Sequence, residues 1–236
     1  MPKVLLFDID GTLVLTGRAG VRAMNRACQE VIGHSNALDG VAVAGRTDSI
    51  ILHDALRAIG HEMDEDLFAR LRDTYVTLLR EEILLPGEGV KAVLPGVAGL
   101  LDALRARPDV FLALLTGNFE EGARIKLEHF DLWRYFKCGA FGDDAADRNA
   151  LVPFALDRAR ACGLDAIVPE DVFVVGDTPH DVACARAVGA VPVGVATGSF
   201  SVADLRGSGA EIVFPDLGDT AAFMRTPISL VRRATL

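Results

Sequence analysis

The chain has 236 residues, of which 50% are hydrophobic and 24% charged, with a formal net charge of -9. This length and composition are typical of a globular protein with one large domain, or a core and a small insert, and exclude a disordered chain. The acidic balance argues against nucleic acid or an anionic membrane as a partner, so an anionic ligand would need local positive charge.

The sequence predicts a cytoplasmic protein, as a monomer or a homodimer. Asp8 interrupts the N-terminal apolar run too early for a signal peptide. No apolar stretch approaches the ~20 residues that span a bilayer. The cysteines show neither C-x-x-C pairing nor a histidine at zinc spacing, which indicates reduced thiols: Cys28, Cys138, Cys162 and Cys184.

The first element of the chain is an apolar run that ends in two aspartates. Val4–Leu13 reads V-L-L-F-D-I-D-G-T-L, which predicts a strand buried on both faces. Asp8 and Asp10 would lie at its carboxyl end, where ligands bind in open α/β sheets. Carboxylates this close repel each other unless a cation or a proton lies between them. The structural alternative is an Asx-turn that simply ends the strand.

The segment D-x-D-G-T-L resembles the first motif, D-x-D-x-T, of the haloacid dehalogenase superfamily of phosphotransferases. The resemblance implies that Asp8 is the nucleophile, that Asp10 is the acid and base, and that the cofactor is Mg²⁺. It also implies a small phosphorylated substrate.

The next segment differs in character, because it contains no strand-like run from Arg18 to Val90. It predicts an all-helical cap, residues 17–90, inserted after the first strand and hinged near Val14–Gly17 and Pro86–Ala92. Apolar residues recur at helical spacing in three predicted helices, Val21–Ile32, Ser49–Ile59 and Asp66–Ile83.

Between the first two cap helices, A-G-R-T-D at Ala44–Asp48 resembles the G-R-T-D segment of phosphoglycolate-phosphatase-like members. The resemblance implies that Arg46 contacts the part of the substrate that does not react. A structural role is compatible with this, since Thr47 or Asp48 would cap the next helix.

The rest of the chain alternates strands with helices, which predicts an α/β fold with a Rossmann-like parallel sheet. The catalytic core would comprise residues 1–16 and 91–225, followed by a tail at 226–236. The predicted strands are Val110–Leu115, Val172–Val175 and Val191–Val195, and the predicted helices are Gly96–Arg107, Glu120–Phe130, Leu151–Cys162 and Asp181–Val188.

A second polar segment, Thr116-Gly117-Asn118, follows the strand Val110–Leu115. It combines a hydroxyl, a flexible glycine and an amide, and the next helix begins near Phe119. Free N–H groups at that helix end would complete an anion seat. Alternatively, Thr116 merely caps the helix; the family resemblance favours phosphate binding.

The third polar segment reads G-D-x-x-x-D and places Asp177 at a strand tip and Asp181 one turn into a helix. Mg²⁺ prefers such oxygen ligands. Asp177 would join Asp8 and the backbone carbonyl of Asp10 as ligands, while Asp181 orients a metal-bound water. The alternative for Asp181 is a first-turn acidic residue that the helix dipole favours.

The family's remaining motif is usually a lysine, and here the sequence departs from the pattern. Residues 142–149 contain no lysine, but Arg148 lies near the expected place. Arginine pairs with phosphate oxygens and stays charged, so Arg148 is the predicted catalytic cation. The alternative is a surface arginine that balances the charge of neighbouring aspartates. Lys126 and Lys137 are weaker candidates for the catalytic cation.

Comparison within the superfamily favours a phosphatase. Asp10 supplies the acid that an alcohol leaving group needs, whereas the dehalogenases lack this second carboxylate. The cap contains no lysine for the Schiff base of phosphonate-cleaving relatives, and the cap histidine of the mutases falls at about Gly20. The predicted function is an Mg²⁺-dependent phosphomonoester hydrolase with an aspartyl-phosphate intermediate. A β-phosphoglucomutase-like mutase and a catalytically silent binding protein stay open as alternatives.

Overall fold

The structure is a computed structural model that describes residues 2–164 and 166–226. The predicted tail, 226–236, lies outside the described residues apart from Thr226. In chain order the strands are β1 (Lys3–Phe7), β2 (Val14–Thr16), β3 (Lys91–Val93), β4 (Val110–Leu115), β5 (Gly139–Ala140), β6 (Val172–Gly176), β7 (Val191–Val195) and β8 (Ile212–Phe214).

The helices surround these strands, and α1 to α7 differ from the seven predicted helices by no more than two residues at either end. They are α1 (Ala19–Ile32), α2 (Asp48–Ala58), α3 (Glu65–Glu82), α4 (Val97–Arg105), α5 (Glu120–His129), α6 (Leu151–Ala161), α7 (Pro179–Ala187), α8 (Val202–Gly207) and α9 (Thr220–Arg225). In the part of the chain that the structure describes, no helix is long and apolar enough to cross a membrane.

Six strands form one parallel sheet in the order β5-β4-β1-β6-β7-β8. This arrangement confirms the predicted α/β fold with a Rossmann-like core. In β1, Leu5 and Phe7 pack into one hydrophobic cluster and Val4 and Leu6 into another. The strand is therefore buried on both faces, as expected for a central strand of a sheet that carries helices on both sides.

The register of the central strands brings the polar segments together. Phe7 is paired with Leu114 of β4 on one side and with Val175 of β6 on the other. The three strands therefore end at the same edge of the sheet. Asp8, Thr116 and Asp177 follow β1, β4 and β6 there. Each lies one or two residues beyond the paired positions.

The apolar run at the N-terminus is not a strand over its whole length, because β1 ends at Phe7. Gly11 adopts a φ of +81° and the N–H groups of Leu13 and Val14 donate to the carbonyl of Ile9. The D-x-D-G-T-L segment therefore forms a tight turn beyond the sheet. A turn of this kind places Asp8 and Asp10 at different positions around one site.

Helices α1, α2 and α3 contribute most of a separate hydrophobic cluster, which supports the predicted helical cap. The expected hinges are not simple linkers, since β2 and β3 pair as an antiparallel ribbon with Leu15 opposite Ala92. The two chain crossings run side by side, so their backbone groups hydrogen-bond to each other. The boundaries of the cap at residues 17–90 stay a prediction.

Six short elements were not predicted from the sequence: β2, β3, β5, β8, α8 and α9. Each has between two and six residues, which is too short for a periodic pattern to stand out.

Candidate active site

Asp8 lies at the bottom of the site, directly after β1. Its backbone N–H donates to Val175 of the neighbouring strand, and its carboxylate is buried 2.9 Å from Arg148 Nη2. Burial raises the pKa of Asp8 to about 6, because desolvation and the charges of Asp181 and Asp10 outweigh the opposing effect of Arg148.

Arg148 is buried and is not the surface arginine of the alternative interpretation. It begins a 3₁₀ turn that Asp147 caps by accepting from the Asn149 N–H. Its Nη2 lies 2.5 Å from Asp181 Oδ1 as well as near Asp8, and these two carboxylates hold its pKa above the usual range despite burial. The guanidinium therefore carries a permanent positive charge between two carboxylates.

Asp8, Asp177 and Asp181 form a cluster of buried carboxylates with one oxygen from each within 4.8 Å of the others. Burial, followed by the charges of Asp8 and Asp181, raises the pKa of Asp177 to about 8. The backbone crowds this cluster, since a Cβ on Gly11 would lie 2.5 Å from Asp177 Oδ2. Only glycine fits there at the positive φ already noted.

Asp181 belongs to this cluster and also lies in the first turn of α7, where it takes part in the helix cap. Thr178 and Asp181 form a capping box in which Asp181 Oδ2 accepts from the Thr178 N–H and hydroxyl at 3.0 and 2.7 Å. Its other oxygen faces Arg148. The side chain is thus held on both sides.

The segment Thr116-Gly117-Asn118 is buried at the tip of β4. The Asn118 side chain and N–H both donate to Thr116 Oγ1, at 2.7 and 3.3 Å. One part of the predicted anion seat is wrong, because the first N–H groups of the helix are not free. Those of Phe119 and Glu120 donate to the carboxylates of Asp48 and Asp143.

Asp10 lies apart from the carboxylate cluster. Its Oδ2 is 2.6 Å from Lys126 Nζ and 2.9 Å from Asn118 Nδ2. Lys126 is buried and was only a weaker candidate in the sequence, because a lysine in the middle of a helix carries no positional signal. The one available hint is that α5 begins beside the site and Lys126 lies within it.

Arg46 lines the cavity above the site from the loop before α2. Its Nη2 is 2.6 Å from Asp54 Oδ2. The structural interpretation of its neighbour Thr47 is confirmed, since Thr47 Oγ1 accepts from the Ile50 N–H and caps α2.

A cavity of about 440 Å³ joins these residues and is lined from both the sheet and the cap helices. This volume is in the range of pockets that hold small molecules. All but one of the predicted site residues line it: Asp8, Asp10, Arg46, Thr116, Gly117, Asn118, Arg148 and Asp177. Asp181 stands behind Arg148.

The fold and the site together define a Rossmann-like hydrolase with a helical cap. The model of the haloacid dehalogenase-like hydrolase family matches residues 5–195, and the chain belongs to this family. The phosphoglycolate phosphatase of Rhodospirillum rubrum is 31% identical over 94% of this chain and 92% of its own. That of Chromobacterium violaceum is 29% identical over 94% and 96%.

A solved structure supports the fold independently. The crystal structure of a hydrolase from Pseudomonas syringae superposes with a TM-score of 0.67 at 20% identity, over 95% of this chain and 98% of that one. The family model and the relatives confirm the predicted family and enzyme class, and the solved structure agrees with the predicted fold. The protein is a phosphatase of the haloacid dehalogenase type.

Proposed function

We propose that the protein is an Mg²⁺-dependent phosphomonoester hydrolase that acts on a small phosphorylated metabolite through an aspartyl-phosphate on Asp8. One observation carries this proposal: the Asp8 carboxylate contacts a buried guanidinium and belongs to a buried carboxylate cluster, in a cavity that Asp10 also lines. This arrangement supports the roles of Asp8 as the nucleophile, Asp10 as the acid and Arg148 as the cation.

The proposed reaction has two steps on the same phosphorus atom. An Asp8 oxygen forms the new bond to phosphorus while the bond to the ester oxygen breaks, and Asp10 gives its proton to that leaving oxygen. Asp10 then takes a proton from the water that attacks the phosphorylated Asp8, which releases phosphate. Arg148 and the polar groups of Thr116, Gly117 and Asn118 would stabilise the phosphoryl oxygens.

The carboxylate cluster fits Mg²⁺, because its buried oxygens are the hard ligands that this cation prefers. Asp8, Asp177 and the backbone carbonyl of Asp10 would hold the ion, and Asp181 would orient its surroundings. When bound, the cation neutralises carboxylates whose mutual repulsion and burial otherwise raise the pKa values of Asp8 and Asp177. Asp8 would then be ionised and nucleophilic at neutral pH.

The substrate enters between the sheet and the cap helices, and Arg46 would face its part that does not react. The names of the relatives make 2-phosphoglycolate the first compound to test. A mutase is less favoured, because residue 20 has no side chain to handle a proton.

The test is phosphate release from a panel of phosphometabolites that includes 2-phosphoglycolate, with Mg²⁺ and with EDTA. We expect activity only with Mg²⁺. Rapid quenching with ³²P-labelled substrate should label the wild-type protein, and hydroxylamine should remove the label because it cleaves acyl phosphates.

Asp8→Asn is the matched variant, because the amide is nearly isosteric but a poor nucleophile. It should neither turn over nor take up label while its circular dichroism is unchanged. Retention of more than about a tenth of kcat, equivalent to a loss of ~1.4 kcal/mol, would remove Asp8 from the proposed role. A wild-type protein that hydrolyses no member of the panel would argue for the silent binding protein.

A further inference from the structure

The contact between Lys126 and Asp10 is not explained by the roles given above. Lys126 projects from α5 with only 6% of its side chain exposed, and its Nζ lies 2.6 Å from Asp10 Oδ2 and 2.5 Å from Asn118 Oδ1. A buried ammonium is costly unless it is paired and hydrogen-bonded. Both requirements are met here by residues of the site.

The Asp10 end of this contact is open to the cavity, which distinguishes it from a structural ion pair inside the core. The Asp10 side chain is 43% exposed and lines the same cavity as Asp8. Lys126 also lines the cavity, facing α1 where a Cβ on Gly20 would lie 3.5 Å from Nζ. The pair therefore forms part of the wall against which a substrate would lie.

The two donors act on one oxygen of Asp10. Lys126 Nζ and Asn118 Nδ2 both reach Oδ2, and Asn118 is itself held because its Oδ1 accepts from Lys126. These contacts hold Asp10 Oδ2 by partners that do not belong to the cluster of Asp8, Asp177 and Asp181. With Oδ2 accepting two hydrogen bonds, Oδ1 is the oxygen of Asp10 that remains available for a proton transfer.

We propose that Lys126, together with Asn118, is a positioning residue that orients Asp10 so that Oδ1 delivers the proton to the leaving oxygen. Arg148 and Lys126 then divide two tasks between them: Arg148 faces the nucleophile, and Lys126 faces the acid. This inference rests on the proposed phosphatase function and deepens it by assigning a residue that acts on the reaction through Asp10.

The test separates leaving-group protonation from every other contribution. The value of kcat/KM reports the steps up to cleavage of the ester bond, so it is measured with an alkyl phosphate and with 2,4-dinitrophenyl phosphate, whose leaving group needs no proton. For Lys126→Met, we expect a loss of about a hundredfold on the alkyl ester, in the range of general acid catalysis. On the dinitrophenyl ester the loss should be less than about threefold.

Two variants complete the comparison. In the background Asp10→Asn, which has no acid to orient, adding Lys126→Met should change the alkyl activity less than about threefold, because the two residues act as a unit. Lys137→Met is the matched control, since that ammonium lies 5.2 Å from the Phe111 ring centre, and it should leave both activities unchanged. Lys126→Gln replaces Lys126→Met if the latter does not fold.

Equal losses on both esters, or full additivity with Asp10→Asn, would overturn the proposal and assign Lys126 to phosphoryl stabilisation or to folding. Crystal structures of the wild type and of Lys126→Met provide a readout that needs no activity. The Asp10 carboxylate should turn away from its wild-type position in the variant, and an unmoved Asp10 would refute the positioning role. A wild-type enzyme that hydrolyses neither ester would instead contradict the proposed function, and the crystallographic comparison would still decide the role of Lys126.

Discussion

At the residue scale, the buried Arg148 pairs with two carboxylates and keeps one N–H group unpaired among the described residues. Its guanidinium reaches both Asp8 and Asp181 through Nη2, while its Nε has no hydrogen-bond partner among the described residues. A buried polar group without a partner is unusual in folded proteins. The unpaired N–H is consistent with a hydrogen bond from Arg148 Nε to an oxygen of the bound substrate.

We predict that Arg148→Ala lowers kcat by at least about a hundredfold, because a charge that stabilises phosphoryl oxygens contributes roughly 3–4 kcal/mol. The same change leaves two buried carboxylates without their partner, so we also expect a lower melting temperature. Arg148→Lys should recover part of the activity. Thermal unfolding measures the melting temperature of each variant, and steady-state kinetics below that temperature measure kcat.

Arg158→Ala is the control for this experiment, since Arg158 pairs with Asp144 at a distance of 2.6 Å outside the cavity lining. It should change kcat little. A folded Arg148→Ala enzyme with more than a tenth of the wild-type kcat would show that the missing family lysine is replaced by another residue.

At the scale of elements, the N-terminal ends of α2 and α5 contact each other. The Asp48 N–H donates to the Gly117 carbonyl at 2.7 Å, and Asp48 Oδ2 accepts from the Phe119 N–H at 2.9 Å. One residue therefore caps a helix of the sheet domain from the first turn of a cap helix. Burial raises the pKa of Asp48 to about 6, although the charge of Lys126 opposes this.

The sign of the resulting pH dependence follows from linkage. The folded protein binds the Asp48 proton more tightly than the unfolded chain, so this group stabilises the fold below pH ~4, and the stabilisation is lost as pH rises through ~6. Asp48→Asn keeps an oxygen acceptor for Phe119 but never ionises. At pH 8 we expect its free energy of unfolding to exceed the wild-type value by up to about 2–3 kcal/mol, with a smaller difference at pH 5.

Denaturant unfolding at pH 5 and pH 8 measures this difference, and Asp39→Asn at an exposed position serves as the control with no pH-dependent gain. A variant that is less stable than the wild type at pH 8 would mean that the ionised carboxylate is the stabilising form in that contact.

At the scale of the whole molecule, the site joins three strands and the cap helices, so an ion bound there should stabilise the protein globally. A ligand at a hundred times its Kd adds about 2.7 kcal/mol to the stability of the native state. We predict that Mg²⁺ raises the melting temperature of the wild type and that EDTA reverses the increase. Asp177→Asn should reduce the shift or abolish it.

Asp157→Asn is the control, because Asp157 forms a surface pair with Arg160 far along α6. It should retain the full Mg²⁺ shift. If Asp177→Asn shows the same shift as this control, Asp177 is not a ligand.

The sequence by itself determined the strands and helices with strong periodicity and the polar residues at their ends. Strand β4 (Val110–Leu115) and the start of α5 at Glu120 agree with the prediction to the residue, because an apolar run or an amphipathic face is a local property. Asp8, Thr116 and Asp177 could be found for the same reason: each directly follows such a strand.

Only the tertiary structure decided which of these side chains meet and what each one faces. It decided that Arg148 is buried. It also brought together residues that lie far apart in the chain, namely Asp48 with Phe119 and Lys126 with Asp10. The ribbon of β2 and β3 likewise arises from two distant hinge segments. Local patterns carry no information about such pairs, since the pairing depends on strand order and on the packing of the cap helices against the sheet.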